Sequence, residues 1–141
     1  MSSIDPRWEH FPHGADIGIR GLGPTIDAAF EQVALALTAV LVDPSRVQTV
    51  ETVDVSFEAA TLDELLYDWI DAIVYEMATR GMLFGAFEVD IEGNLLTARL
   101  RGEPVDRARH EPAIEVKSPT YTELRVMQEG ARWVAQCVVD V

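Results

Sequence analysis

Apolar and polar positions change period several times along the chain, and each change predicts a different element. Residues 7–21 read as strand, turn, strand: Trp8 to Phe11, then Ile17 and Ile19 alternating with Asp16, Gly18 and Arg20. Gly21, Gly23 and Pro24 break that run. Thr25 then suits a helix N-cap, and Ile26, Phe30, Val33, Leu37, Val40 and Leu41 recur at spacings of three and four. The helix is expected to end near Asp43-Pro44, because the residue before a proline avoids the α region. Val53, Val55 and Phe57 return to alternation and predict a strand.

The second helix has the clearest pattern. Thr61-Leu62-Asp63-Glu64 reads as a capping box, with Thr61 and Glu64 satisfying each other's backbone donors. Leu62, Leu65, Leu66, Trp69, Ile70, Ile73, Val74 and Met77 then form a broad apolar face, and Gly81 is placed to end it. Strands are expected at Leu83–Glu92 and Leu95–Arg101, joined by the turn residues Glu92-Gly93-Asn94. Residues 102–114 read as irregular. Three more strands are expected near Glu115–Lys117, Thr122–Met127 and Trp133–Val139. The 141 residues contain no internal repeat, low-complexity tract or linker. The expectation is one α+β domain over 1–141, with two helices packed on a mostly antiparallel sheet.

Charge changes that picture most. Asp and Glu total 24 against 11 Lys and Arg, a formal net charge of −13. Nucleic-acid affinity comes largely from cationic contacts that release counterions, so direct RNA or DNA binding is not expected. A basic protein partner or a cation suits this surface. Adaptation to a salty cytosol suits it equally, and Lys117 as the only lysine beside ten arginines fits that second reading. No apolar run approaches the roughly 20 residues of a membrane helix. The start, Met1-Ser2-Ser3-Ile4-Asp5-Pro6, lacks the basic and apolar blocks of a signal peptide, so a cytoplasmic protein is the simplest expectation. Cys137 stands alone among apolar strand residues, which predicts a buried, inert thiol.

Four places hold polar residues that local structure explains poorly. In His13-Gly14-Ala15-Asp16-Ile17-Gly18 an acid sits at the mouth of a strand, as a turn-stabilising side chain or as a ligand. At the other end, Asp140 and the terminal carboxylate of Val141 put two anionic groups within one residue. Hard cations such as calcium or magnesium want several oxygen donors, so Asp16, Asp140 and Val141 would converge on one ion if the first and last strands are neighbours. Ordinary surface charge is the alternative. The stretch from Gly102 to Glu111 mixes acids, arginines and His110 in an expected loop, where His110 could serve as a general base beside Glu111 or Glu115, or simply be solvated. Lys117 lies in a strand with apolar neighbours, free for function or paired with Glu115 or Asp106. No phosphate-binding glycine loop, nucleophile elbow or paired-histidine zinc spacing is present, so a self-contained enzyme is not supported.

Taken together, these segments resemble the archease family. The matches are His13-x-Ala15-Asp16-Ile17-Gly18, Ala28-x-Phe30, Leu65-Leu66-x-Asp68-Trp69, Gly102-Glu103-Pro104, Asp106-x-x-x-His110, Lys117-x-x-Thr120-Tyr121, and Trp133-x-Ala135 with Asp140-Val141. They run from about Trp8 to Val141. The resemblance implies a protein partner of the GTP-dependent tRNA-splicing RNA ligase, one that promotes its guanylylation and multiple turnover and broadens its nucleotide use. It also implies a metal site on Asp16, Asp140 and Val141, with calcium as the ion. His13, His110, Lys117 and Tyr121 are then candidates for contact with the partner. Two departures stand out: Gly14 replaces the family's usual threonine, and Ser118-Pro119 replaces small or β-branched residues. A general chaperone-like binder and a metal-dependent phosphoester hydrolase built on Asp16, Asp140, His110 and Lys117 are the competing readings.

Overall fold

The structure, a computed structural model, describes residues 5–112 and 114–141; the segment Met1–Ile4 and Ala113 lie outside the described residues. The chain runs β1 (Arg7–His13), β2 (Asp16–Gly23), α1 (Ile26–Leu41), β3 (Glu51–Glu58), α2 (Leu62–Arg80), β4 (Met82–Glu92), β5 (Leu95–Pro104), α3 (Arg107–His110), β6 (Ser118–Pro119), β7 (Arg125–Glu129) and β8 (Arg132–Asp140). The strands make two sheets, and every pairing among the described residues is antiparallel. One sheet has the order β1-β2-β8-β6, with β7 also pairing β8. The other has the order β3-β5-β4. The α+β expectation therefore holds, with the strands divided between two sheets.

Helix α1 lies between the sheets and is buried on both sides. Ala29, Ala34 and Ala36 alternate with Phe30, Val33 and Leu37, all fully buried, and the small residues let both sheets approach. Gly21 is required for this approach, since a Cβ there would lie 2.2 Å from the Ala29 carbonyl oxygen. On its other flank α1 closes the free edge of β4. Asp27 and Glu31, one turn apart, accept the β4 backbone N–H groups of Ile91 (3.1 Å) and Val89 (2.9 Å). The Thr38 hydroxyl donates to the Phe84 carbonyl (2.7 Å). An open strand edge invites pairing with another chain, and these three bonds remove that liability.

Helix α2 begins at Thr61, whose hydroxyl accepts the Glu64 N–H at 3.1 Å. The reciprocal bond of the expected capping box is absent among the described residues, so the Glu64 side chain stays exposed. Gly81, at φ +61°, ends the helix in the left-handed conformation. The Trp69 indole N–H donates to the Phe30 carbonyl (3.0 Å) and locks α2 to α1 through the core. Three boundaries differ from the sequence expectation, the first being the strand expected at Thr122–Met127, which runs from Arg125 to Glu129. The stretch from Gly102 is partly regular, with β5 reaching Pro104 and Asp106 capping α3 through its side chain. The strand expected at Glu115–Lys117 is displaced to Ser118–Pro119, a two-residue β6, because Pro119 has no N–H to extend the ladder.

Candidate functional site

Strands β1 and β2 form a hairpin whose two-residue turn carries Gly14 at φ +59°, the positive first-position φ of a type II′ turn. The turn brings His13 opposite Asp16. The β2–β8 ladder pairs Ile17 with Val139, so the next rung outward carries Asp16 on one strand and Asp140 on the other. Ser118 of β6 opposes Asp140 in turn. Opposed residues of antiparallel strands share a face, so His13, Asp16, Asp140 and Ser118 form one row across four strands. Ile17 and Ile19 alternate with that row and pack into the core, which puts the row on the outer face. The last strand, β8, therefore neighbours β2, the strand that carries Asp16, and not the first strand, β1, which lies on the far side of β2.

Asp16 and Asp140 are half-buried, and neither makes an ion pair within 4.0 Å among the described residues. Among the described residues no three His, Cys, Asp or Glu side chains converge closely enough to hold an ion alone. The row supplies two aspartates, and further oxygens would come from the Val141 main chain, Ser118 or water. Oxygen donors with free negative charge fit a hard cation and do not fit a thiolate- or imidazole-seeking one.

Lys117 is exposed, and its backbone N–H donates to the Asp140 carbonyl at 2.8 Å. Its ammonium pairs with neither Glu115 nor Asp106 within 4.0 Å among the described residues. Tyr121, 74% exposed, stacks on Tyr67 of α2 with ring centroids 4.5 Å apart and planes 5° from parallel. Cys137 is fully buried, and burial pushes its thiol up to about 12, as an inert cysteine requires.

His110 does not sit in an open loop. It is buried beside Glu103, and both ring nitrogens are engaged. Nδ1 accepts the Asp106 N–H at 2.9 Å, which leaves Nε2 to donate to Glu103 at 3.0 Å. That tautomer has no free lone pair for the general-base role beside Glu111 or Glu115, and no exposed edge for a partner. Glu103 also takes the Arg109 guanidinium and, at 2.6 Å, the Gln48 N–H. These donors, Arg109 foremost, hold its carboxyl down at about 2. The Arg46 side chain in turn donates to the Arg109 carbonyl at 2.6 Å. Glu103 is the centre of a clasp joining the 43–48 turn, the end of β5 and α3. Sequence reading missed it, because nothing in local spacing ties Gln48 or Arg46 to Glu103.

A second feature was also missed. Glu64, Tyr67, Asp68, Asp71 and Tyr75 follow one another at helical spacing along the flank of α2 away from its buried face. Glu64, Asp68 and Asp71 are exposed and make no ion pair among the described residues. Partial burial, then Asp71 and Glu64, raise the Asp68 carboxyl above its ordinary value. Like charges at these spacings cost a helix about 0.2–0.5 kcal/mol per pair. The apolar spacing that defined α2 in sequence carries the same information for its polar flank.

Comparison with known proteins places this geometry. Residues 8–141 match the model of the archease protein family. The archease of Pyrococcus abyssi is 41% identical over 140 residues, covering 96% of this chain and 99% of that protein. The archease of Pyrococcus furiosus is 39% identical with the same coverage. Among solved structures, protein 1598 of Methanobacterium thermoautotrophicum superposes with a TM-score of 0.78 at 27% identity, over 95% of this chain and 98% of that one. A Thermotoga maritima structure described as an archease and possible chaperone shares the fold, with a TM-score of 0.58 at 17% identity over 94% of this chain and 96% of that one.

Proposed function

The chain belongs to the archease family, and on that premise we propose that it is a cytoplasmic protein activator of the tRNA-splicing RNA ligase. In this reading it promotes GMP transfer from GTP to the ligase, restores multiple turnover and broadens nucleotide use, without being an enzyme itself. The observation that carries the reading is the row in which Asp16 and Asp140 stand one residue beyond the last β2–β8 pair, Ile17 and Val139, with neither in an ion pair among the described residues. Asp16, Asp140 and the main-chain oxygens of Val141 would hold a divalent ion, calcium foremost, since calcium accepts many oxygens in flexible geometry. Such an ion would supply positive charge to a phosphate oxygen near the ligase's nucleotide. The chain's own residues would act around it: the aspartates position it, exposed Lys117 precedes β6 with its backbone N–H on the Asp140 carbonyl, and the outer face leaves the row open to a partner.

Charge supports a protein partner over direct RNA binding. A net −13 repels a phosphate backbone but complements the basic surface of an RNA-handling enzyme. Among the described residues no helix is long and apolar enough to cross a membrane. A chaperone-like binder is the second reading, favoured by a cleft of about 760 Å³ lined by Val74, Met77, Met82, Val105, Ile114 and Val116. The hydrolase reading loses its base, because both His110 nitrogens are occupied.

The test is ligation by the ligase under multiple-turnover conditions, with GTP, with and without stoichiometric protein. The proposal expects sustained turnover only with the protein, and loss of the effect in Asp16→Asn. Equal turnover without it, together with protection of an unrelated aggregating protein, would replace the activator reading by the chaperone one.

A further inference from the structure

Helix α2 spends its exposed flank in an unusual way. A solvent-facing helix stripe ordinarily interleaves acids with Lys or Arg at i,i+4, which stabilises the helix. Here Glu64, Asp68 and Asp71 repeat the same sign, and the single basic residue of α2, Arg80, is taken up by Glu76 one turn away. Two tyrosines complete the stripe, with Tyr75 62% exposed and Tyr67 covered by the ring of Tyr121. Tyr121 comes from the turn that follows β6, so its ring is laid on α2 by the same strand that borders Asp140. The outer face of the Tyr121 ring remains open.

We infer that this stacked tyrosine platform, with the carboxylates beside it, is a docking surface for arginine side chains of a basic protein partner. The inference deepens the activator reading and rests on it for the partner's identity. A guanidinium matches both halves of the surface. Its plane stacks on an aromatic face, and its fork of N–H donors meets carboxylates in pairs. An ammonium satisfies the charge but stacks less well, and a nucleic-acid phosphate is repelled. The molecule already uses the same pairing within itself, where the Arg20 guanidinium lies 4.6 Å from the Phe11 ring centroid and bonds Glu9 at 2.6 Å. The stripe differs in having the ring and the acids but no arginine of its own. Tyr121 follows β6, the short strand that pairs Asp140, so the stripe and the strand that carries Asp140 are joined through β6.

The experiment uses the whole chain and two probes. A short arginine–glycine peptide and its lysine–glycine counterpart are titrated into the parent, Tyr121→Ala and Asp68→Asn/Asp71→Asn, with binding followed by NMR, and the purified ligase is then titrated into the same three proteins. Both variants are expected to fold, because one removes an exposed ring and the other relieves repulsion. The inference predicts that the arginine peptide shifts resonances of α2 and Tyr121, binds more tightly than the lysine peptide, and weakens about tenfold in each variant. Ligase affinity is expected to fall in parallel. Shifts spread evenly over the acidic surface, or equal affinity in all three proteins, would overturn it as ordinary solvated charge. Should the variants activate the ligase as well as the parent, the surface falls and the activator reading stands. Should the parent fail to bind the ligase while the peptide still maps to the stripe, the activator reading falls and the surface stands.

Discussion

Glu103 and Asp16 both sit near strand ends, and their surroundings are opposites. Glu103 is buried and meets donors from Arg109, His110 and Gln48. Asp16 is half-buried on an outer face, with another acid on the facing strand and no donor side chain among the described residues. The difference teaches how to sort charge in an acidic protein. A carboxylate whose lone pairs are filled by the chain holds segments together, and its removal strands buried donors. A carboxylate left unsatisfied beside a like charge is destabilising unless something outside the chain completes it. By that criterion the Glu103 clasp is architecture, whereas the Asp16–Asp140 rung and the α2 stripe are the places we propose for other molecules.

Substitutions sharpen the contrast. The largest loss of stability is expected for His110→Ala, about 3 kcal/mol, because it opens a cavity and removes a donor from buried Glu103. Calcium affinity, measured on the folded fraction, is expected to be unchanged; a parallel loss would mean that the clasp and the row are one unit. Next comes the β4 edge. Glu31→Ala is expected to cost about 1–2 kcal/mol by stranding the Val89 N–H, whereas Glu31→Gln keeps an acceptor and costs little. Denaturant titration of both separates acceptor from charge, and burial, which raises the Glu31 carboxyl, is the reason the charge is dispensable.

Acid exposes the clasp differently. Glu103 is held at about 2, below its ordinary 4.5, so it favours the folded state fully above 4.5 and loses that contribution as pH falls toward 2. Denaturation midpoints between pH 6 and 2 are expected to fall less steeply in Glu103→Gln than in the parent. Identical slopes would remove Glu103 from the account of acid sensitivity. The smallest effect on stability belongs to Asp16→Asn, within about 0.5 kcal/mol, since the half-buried side chain keeps its size and loses no ion pair among the described residues. A large loss there would show that Asp16 is structural and would break the contrast.

The periodic elements were legible in the sequence. Spacings of three and four marked α1 and α2, and alternation marked the hairpin that carries Asp16, because one-sided burial imposes those periods. The ends of elements were less legible. Thr61 caps α2 as expected, but Glu64 does not fold back, since Thr61 and Glu64 are both exposed and the remaining donor needs no partner from the chain. Arg107–His110 read as loop, although Asp106 followed by two open N–H groups is a cap signal. Asp16 and Asp140 could be singled out as acids beside apolar strands, but only the ladder puts them on one rung. His110 was singled out for its chemistry and turned out to be held by Glu103, a contact seven residues away that no periodicity predicts.

The most direct measurement is a calorimetric titration of calcium into the parent and into Asp16→Asn/Asp140→Asn, with thermal melts of both alongside. The account predicts one ion per parent chain, affinity lower by at least about tenfold in the double variant, and closely similar melts without calcium. Equal calcium affinity in the two folded proteins would contradict it and take the ion away from the end of β2 and β8.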